Sequence, residues 1–577
     1  MLTTPRRKTL HLRDGPALQL GKYHFTYLRP RRSRAELTPP PPPIFPADVG
    51  TSPTEPALSS PPSTNDNVVT AASPTAGTVL LTRRTVLIAG AGTGAAKLWW
   101  NEHRAVHHVP RTLKVAERWY GIPVMSAGAY NYGLSSTIMN IGNTGLTTQQ
   151  RIEYLRTLPA IRERCGRVYD LAKQDKLQYF DYHPDKESGV VDYCINVMKH
   201  DYGTNFAAIP PHSRWRHLDA GIARVAPLIE QWKASASPPD SKEIAKRLID
   251  LFLVSVLLDA GAGNEWKYTD AASGASFTRS EGLAVASFNM FAEGFFSGDK
   301  EQPYRVDAAG LAQITADGTG QAMQVGDANP MVGLEGRASL LLNLSRALRE
   351  NPTFFGTEGR PGNMLDFLES ESIPDGSSRR VPLAALWHVL ITGLAPIWPT
   401  DRTTLGGVPL GDVWPCDALK PYATGEGDEL VPFHKLTGWT TYSLIEPIEK
   451  ILGWKFVGLE DMTGLPEYRN GGLLVDLGVL TLKESALPAS FYPLPSSKIP
   501  RIPPSHPAVI EWRAMTVIEL DRIAEQIRQK LGLSAEQLTL AQVLESATWK
   551  SGRQIAKELR PQSGGPPIEI QSDGTVF

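Results

Sequence analysis

Between Lys242 and Asp259 apolar residues fall on nearly every face of a helix, with Leu251 to Leu258 almost unbroken. A helix apolar all round has to be enclosed by other elements rather than laid on a surface. This stretch therefore predicts the centre of a sizeable core, with Gly261 and Gly263 ending the helix. Asp259 is the exception, a carboxylate emerging from so apolar a segment. It is either a helix-end hydrogen-bond partner or a site residue.

Further helical patterns surround it. Thr147 with Gln150 makes a capping box ahead of Arg151–Lys173, which Pro159 interrupts. Ala338–Arg349 and Val381–Ile391 are amphipathic. Val509, Trp512, Thr516, Leu520, Ile523 and Ile527 recur at helical spacing and describe a long helix that Gly532 stops. Ser534 and Gln537 form another capping box. Strand signals are few, so the expectation is a mainly α protein, one large helical domain over residues 146–577 with function on its loops. The preceding residues differ. Residues 1–78 carry Arg6, Arg7, Lys8 and further arginines, then Pro39–Pro43 and a Pro/Ser/Thr/Ala run that reads as a disordered extension. Residues 79–145 form a Gly-rich segment. Its Val86–Ala95 stretch has the G-x-G-x-x-A spacing, but no second strand or distant acid follows to make a dinucleotide site.

The formal net charge of −1 gives no general attraction to nucleic acid or an anionic membrane. The three cysteines, Cys165, Cys194 and Cys416, are far apart, which excludes a disulfide framework and suits a reducing compartment. No apolar run is long enough to span a bilayer, and no secretory signal is visible. The reading is a cytoplasmic protein. A nuclear location is compatible, whereas a mitochondrial address is disfavoured because the basic segment lacks an apolar helix face. There is no Gly-x-Ser-x-Gly elbow, Walker loop or His-Glu-x-x-His helix. The twelve histidines do not cluster with carboxylates; His103, His107 and His108 are the densest group. Neither a metal nor a cofactor is expected.

Five polar strings stand out: Asp259–Tyr268, Arg279-Ser280-Glu281, Asn329–Arg337, Phe433-His434-Lys435 with Trp439, and Glu467-Tyr468-Arg469-Asn470-Gly471-Gly472. In the last, three consecutive polar groups cannot share one face of a regular element, so a bend is expected, with two glycines for the turn. Downstream, Glu511 and Arg513 sit at i and i+2 on different sides of the long helix, which predicts one facing protein and the other solvent.

These strings carry a resemblance. Leu257–Gly263, Arg279–Ala286, Gly411-Asp412-Val413-Trp414, Leu430–Lys435, Thr463–Leu474 and Ser572–Phe577 resemble the fungal and bacterial uracil catabolism protein 4 family, from about residue 150 onward. A second similarity is to the queuosine-salvage nucleotide hydrolases, which cleave a base from a ribose 5′-phosphate. Their Leu-Asp-x-x-Asn-Phe-x-Phe-Trp stretch is similar to Leu258–Trp266, and their Phe-x-Lys-Arg-Ala-Gln to Phe433–Gly438. Their Asp-Tyr-Arg-Ile-Pro-Gln is similar to Glu467–Gly472, and their Glu-x-Arg-Ala to Glu511–Ala514. The implied fold is related to helix-hairpin-helix DNA glycosylases. Glu467 stands where that family has Asp, the residues after Lys435 differ, and the aromatics near Asp259 are thinned. The thinning implies a smaller leaving group than a large flat base.

The resemblance implies a metal-independent N-glycosyl hydrolase of uracil breakdown, which splits a 5′-phosphorylated ribosyl-urea-type intermediate into urea or a ureide and a ribose phosphate. Glu467 would be the catalytic carboxylate, kept ionised by Arg469, and Asp259 would protonate or hydrogen-bond the leaving nitrogen. Lys435 and His434 would bind the phosphate, Tyr468 and Trp439 would wall the sugar, and Glu511 and Arg513 would complete the binding set. The alternatives are a ureide amidohydrolase and a non-catalytic partner of a cyclohydrolase-like pathway enzyme.

Overall fold

The computed structural model describes residues 146–571, apart from 400, 401, 485 and 495. The expected basic extension, the Gly-rich segment and His103, His107 and His108 lie outside the described residues. The longer helices are α1 (Leu158–Ala172), α2 (Glu187–Tyr202), α3 (Ser241–Leu257), α4 (Arg279–Ala292), α5 (Leu334–Glu350), α6 (Leu383–Gly393), α7 (Lys435–Leu452), α8 (Tyr468–Asp476), α9 (Pro507–Leu531) and α10 (Trp549–Leu559). Strands are short, in one three-stranded and five two-stranded sheets among the described residues. The architecture is mainly α, as the periodicity predicts.

Helix α3 occupies the centre. Its N-cap Asp240 accepts the amide of Glu243 at 2.7 Å, and every residue from Leu248 to Leu257 is buried. It packs along α7 on one side and α4 on another. Even Asp250 is interior, held by Arg360 Nε and the Gly362 amide, each at 2.7 Å. Beyond α3 the chain enters the Leu258–Gly263 loop. The Arg337 guanidinium ties that loop down, donating to Leu258 O at 3.3 Å, Ala260 O at 2.5 Å and Val332 O at 2.5 Å. Arg337 lies in the first turn of α5.

Two expectations change here. Residues Ala508 to Leu520 of α9 are buried on all sides, so Glu511 and Arg513 both point into protein. Polar partners make this tolerable. Glu511 accepts the amides of Gln178 and Tyr179 at 2.7 and 2.9 Å, and Arg513 forms a two-pronged pair with Asp412 at 2.8 Å for each prong. Gly471 and Gly472 also do not make a turn; they lie inside α8. A Cβ at Gly471 would stand 2.7 Å from the Trp512 indole of α9, whose Nε1 donates to Gly471 O at 2.9 Å. On the opposite side Gly552 of α10 meets Arg469 O, leaving no room for a side chain. The glycines permit close helix crossing rather than a bend.

Candidate functional site

A cavity of about 230 Å³ opens where the N-termini of α4, α7, α8 and α10 meet the loop after α3. Arg279, Ser280 and Glu281 come from α4, Lys435 and Trp439 from α7, and Glu467, Tyr468 and Arg469 from the start of α8. Asp259 to Asn264 supply the loop wall, and His212, His217, Trp549 and Arg553 are also part of the lining. The first turn of α4, which its N-cap Thr278 leaves without a side-chain cap, favours an anion there.

Glu467 is the N-cap of α8, and its two oxygens accept the Asn470 amide at 2.6 Å and the Arg469 amide at 2.8 Å. Burial raises its pKa, and the two amides, Lys435 and Arg469 only partly oppose that. The Arg469 guanidinium does not pair with it as expected. It donates to Gly564 O at 2.9 Å and lies over the Tyr468 ring at 5.0 Å.

Asp259 forms an ion pair with the fully buried Arg214, Oδ2 to Nη1 at 2.8 Å. Burial alone would raise its pKa, but Arg214, His217, Lys435 and the Ser280 hydroxyl outweigh that and hold it below the usual range. Asp259 is thus an acceptor, and its expected alternative role as proton donor is disfavoured. Lys435 is buried, and its ammonium has no ion pair among the described residues. Burial lowers its pKa against the opposing charges of Asp259 and Glu467. It is placed by Asp412, whose Oδ2 accepts the Lys435 amide at 2.9 Å and whose own carbonyl accepts the Phe433 amide at 2.9 Å.

His434, Glu511 and Arg513 do not line this cavity, which corrects their expected role in direct binding. His434 has a left-handed backbone, φ 46°, and its buried ring turns away from the cavity to Leu155 O at 2.8 Å. Burial pushes its pKa down to about 4, so it is neutral. Arg513 reaches only a separate void of about 10 Å³ behind Glu467 and Tyr468. It stacks on Phe433 at 4.0 Å and pairs with Asp412, so it supports the start of α7 from behind.

Sequence reasoning missed much of the wall. The imidazoles of His212 and His217 alternate with the indoles of Trp439 and Trp549, at centroid distances of 4.6 to 5.8 Å. The cavity is therefore not poor in aromatics, contrary to the expectation from the thinned motif; Trp549 comes from a distant helix. Burial, with Arg214, lowers His217 to about 4. Arg553 pairs with Glu281 and lies over Trp549 at 4.8 Å. The strand pair Arg501–Ile502 and Glu569–Ile570 carries the C-terminal segment across the cavity, where Gly565, Pro566 and Ile570 face it. Arg279 has φ 55° and donates to Ser563 O at 2.7 Å and Gly564 O at 3.4 Å, so it shares the latter with Arg469. The Arg279-Ser280-Glu281 string is conspicuous in sequence; the histidines carry no local signal. Among the described residues no group of three or more His, Cys, Asp or Glu is disposed to hold a metal ion, and no helix is long and apolar enough to cross a membrane.

The family described as "Protein of unknown function (DUF1688)" matches residues 154–577. Uracil catabolism protein 4 of Lachancea kluyveri is 44% identical over 446 residues, covering 75% of this chain and 100% of that protein. Protein urg3 of Schizosaccharomyces pombe is 41% identical over 431 residues, covering 74% of this chain and 99% of that protein. The chain thus belongs to the DUF1688 family, in which uracil catabolism protein 4 is its relative.

Proposed function

We propose that this protein acts in uracil degradation, as the name of its Lachancea relative suggests, and that it hydrolyses the N-ribosidic bond of a 5′-phosphorylated ribosyl-urea-type compound. The observation that carries the reading is the trio of Glu467, Asp259 and Lys435 around one cavity whose rim holds Arg279, Arg469, Arg501 and Arg553. Two carboxylates of different protonation tendency beside a buried cation suit a reaction in which positive charge develops on a sugar. The arginine rim suits a phosphate, and the volume suits a small leaving group.

In this scheme the C1′–N bond breaks with its electron pair going to the ureido nitrogen. Glu467, when ionised, stabilises the oxocarbenium-like carbon and takes a proton from the attacking water. Asp259 accepts hydrogen bonds from the substrate. Lys435, expected from the sequence to bind the phosphate, sits instead within the field of Asp259 and Glu467, where it hydrogen-bonds the sugar hydroxyls and keeps the two carboxylates from repelling one another. Tyr468 and Trp439 wall the sugar, and the arginines grip its phosphate. The test is Glu467→Gln assayed for ribose phosphate release from ribosylurea 5′-phosphate. A fall of about 10² to 10⁴ in kcat is expected. Unchanged turnover in a folded variant would remove Glu467 from the chemistry.

A further inference from the structure

The scheme lacks a proton source for the leaving nitrogen, since Asp259 is held ionised by Arg214. One imidazole on the cavity wall is built as such a source. His212 Nδ1 lies 2.6 Å from Glu545 Oε2, with the His212 side chain 5% and the Glu545 side chain 12% exposed. Glu545 does not line the cavity, whereas His212 does. The two ring nitrogens diverge, so a ring whose Nδ1 is fixed from behind turns its Nε2 toward the open side. Among the described residues no hydrogen bond is formed by Nε2.

Both halves of this pair are located by backbone. The His212 amide donates to Ala541 O at 2.9 Å, and Gln542 Nε2 donates to Ile209 O at 2.9 Å. Glu545 belongs to a single π turn, Leu544–Thr548, between the helix Leu540–Val543 and α10. Such turns are rare and recur at functional sites because the extra residue per turn re-aims side chains. Here the widened turn carries Glu545 on to the imidazole just before α10 begins at Trp549, whose ring lies 5.6 Å from that of His212. A carboxylate on Nδ1 fixes the tautomer and steadies the ring when Nε2 carries a proton.

We propose that His212, oriented by Glu545, is the general acid that protonates the leaving ureido group, an inference that rests on the glycosidase reading above. As the C1′–N bond breaks, the Nε2 proton moves to the departing nitrogen, which receives the bond's electron pair. Water then adds to C1′ and its proton passes to Glu467. The sum is one water consumed, with one ribose phosphate and one urea or ureide formed. The Glu467 proton later returns to His212 through solvent. The charged or titratable groups around the imidazole are Glu545, Arg216 and His217, the latter two of which also act on Glu545. The indoles of Trp439 and Trp549 flank it.

The experiment compares two substrates in one preparation, ribosylurea 5′-phosphate and 4-nitrophenyl riboside 5-phosphate, whose leaving group departs without a proton. His212→Gln should lose about 10² to 10⁴ in kcat on the first and less than about tenfold on the second. Glu545→Gln should show the same selectivity more weakly. The ratio between substrates does not depend on the folded fraction. Equal losses on both substrates would make His212 structural and overturn this inference alone. A wild-type protein inactive on both would sink the glycosidase reading and this inference with it.

Discussion

Glu467 accepts two helix-terminal amides and still holds its proton more tightly than an ordinary carboxyl group, because burial outweighs both hydrogen bonds. Activity that depends on its carboxylate should rise with pH above the usual glutamate range, and Glu467→Gln should abolish that acidic limb in a pH–rate profile. Glu511 gives the corresponding stability effect. Its pKa is pushed up to about 7 by burial, against the amides of Gln178 and Tyr179. Below about pH 4.5 both folded and unfolded chains keep this proton. As pH rises the unfolded chain ionises first, so stability falls until the folded group ionises near 7. Urea denaturation of Glu511→Gln from pH 4.5 to 7.5 should therefore show a flatter profile than wild type. Asp412 behaves oppositely. Burial raises it, but Arg513, the Lys435 amide and Trp414 hold its pKa far below the usual range. Asp412→Ala would strand the Arg513 charge and cost about 3–5 kcal/mol, with Lys435 displaced and turnover reduced; near-wild-type melting and activity would contradict this account.

At the scale of elements, α8 is pinched between α9 and α10 through Gly471 and Gly552. Gly552→Ala would drive a methyl group into Arg469 O, and backbone cannot swing aside as a side chain can. A destabilisation of about 1–3 kcal/mol or more is expected in denaturant titration, with activity lost in parallel because both Glu467 and Trp549 depend on that crossing. The helices themselves were legible. Periodicity marks α3 and α9, and Pro159 falls in the first turn of α1, where its missing N–H costs no helical hydrogen bond. The box at Ser534 and Gln537 forms its reciprocal bonds at 2.9 and 3.3 Å but closes only a turn; the next helix, Leu540–Val543, starts from a second box at Thr539 and Gln542. What could not be read was which helix faces another. A glycine pair looks the same in sequence whether it turns the chain or lets helices touch. Glu511 and Arg513 reveal their burial only once Gln178, Tyr179 and Asp412 arrive from elsewhere in the chain.

For the whole molecule, the site draws on segments from His212 to Ile570, so its composition is a property of the assembled fold. Glu467, Lys435, Trp439, Tyr468, Arg469 and Asp259 were legible because compact strings carry them. His212 and Glu545 are 333 positions apart, and no local pattern joins them. The family match begins at residue 154, and every lining residue lies beyond it. Deleting residues 1–145 should leave kcat and KM within about twofold of wild type; a larger loss would tie that segment to the site. Removing residues 561–577 should do the reverse. The carbonyls of Ser563 and Gly564 that receive Arg279 and Arg469 would be gone, along with the partner of the Arg501 strand. The helical body should keep its circular dichroism while KM for the phosphorylated substrate rises.

The segment across the cavity is also the part of its wall that translation delivers last. Until it leaves the ribosome, Arg279 and Arg469 lack their shared acceptor at Gly564 O, although the helices bearing them have already been made. A chain ending at Leu559 would thus present an unfinished site, with its acid side chains in place and one wall of its chamber missing.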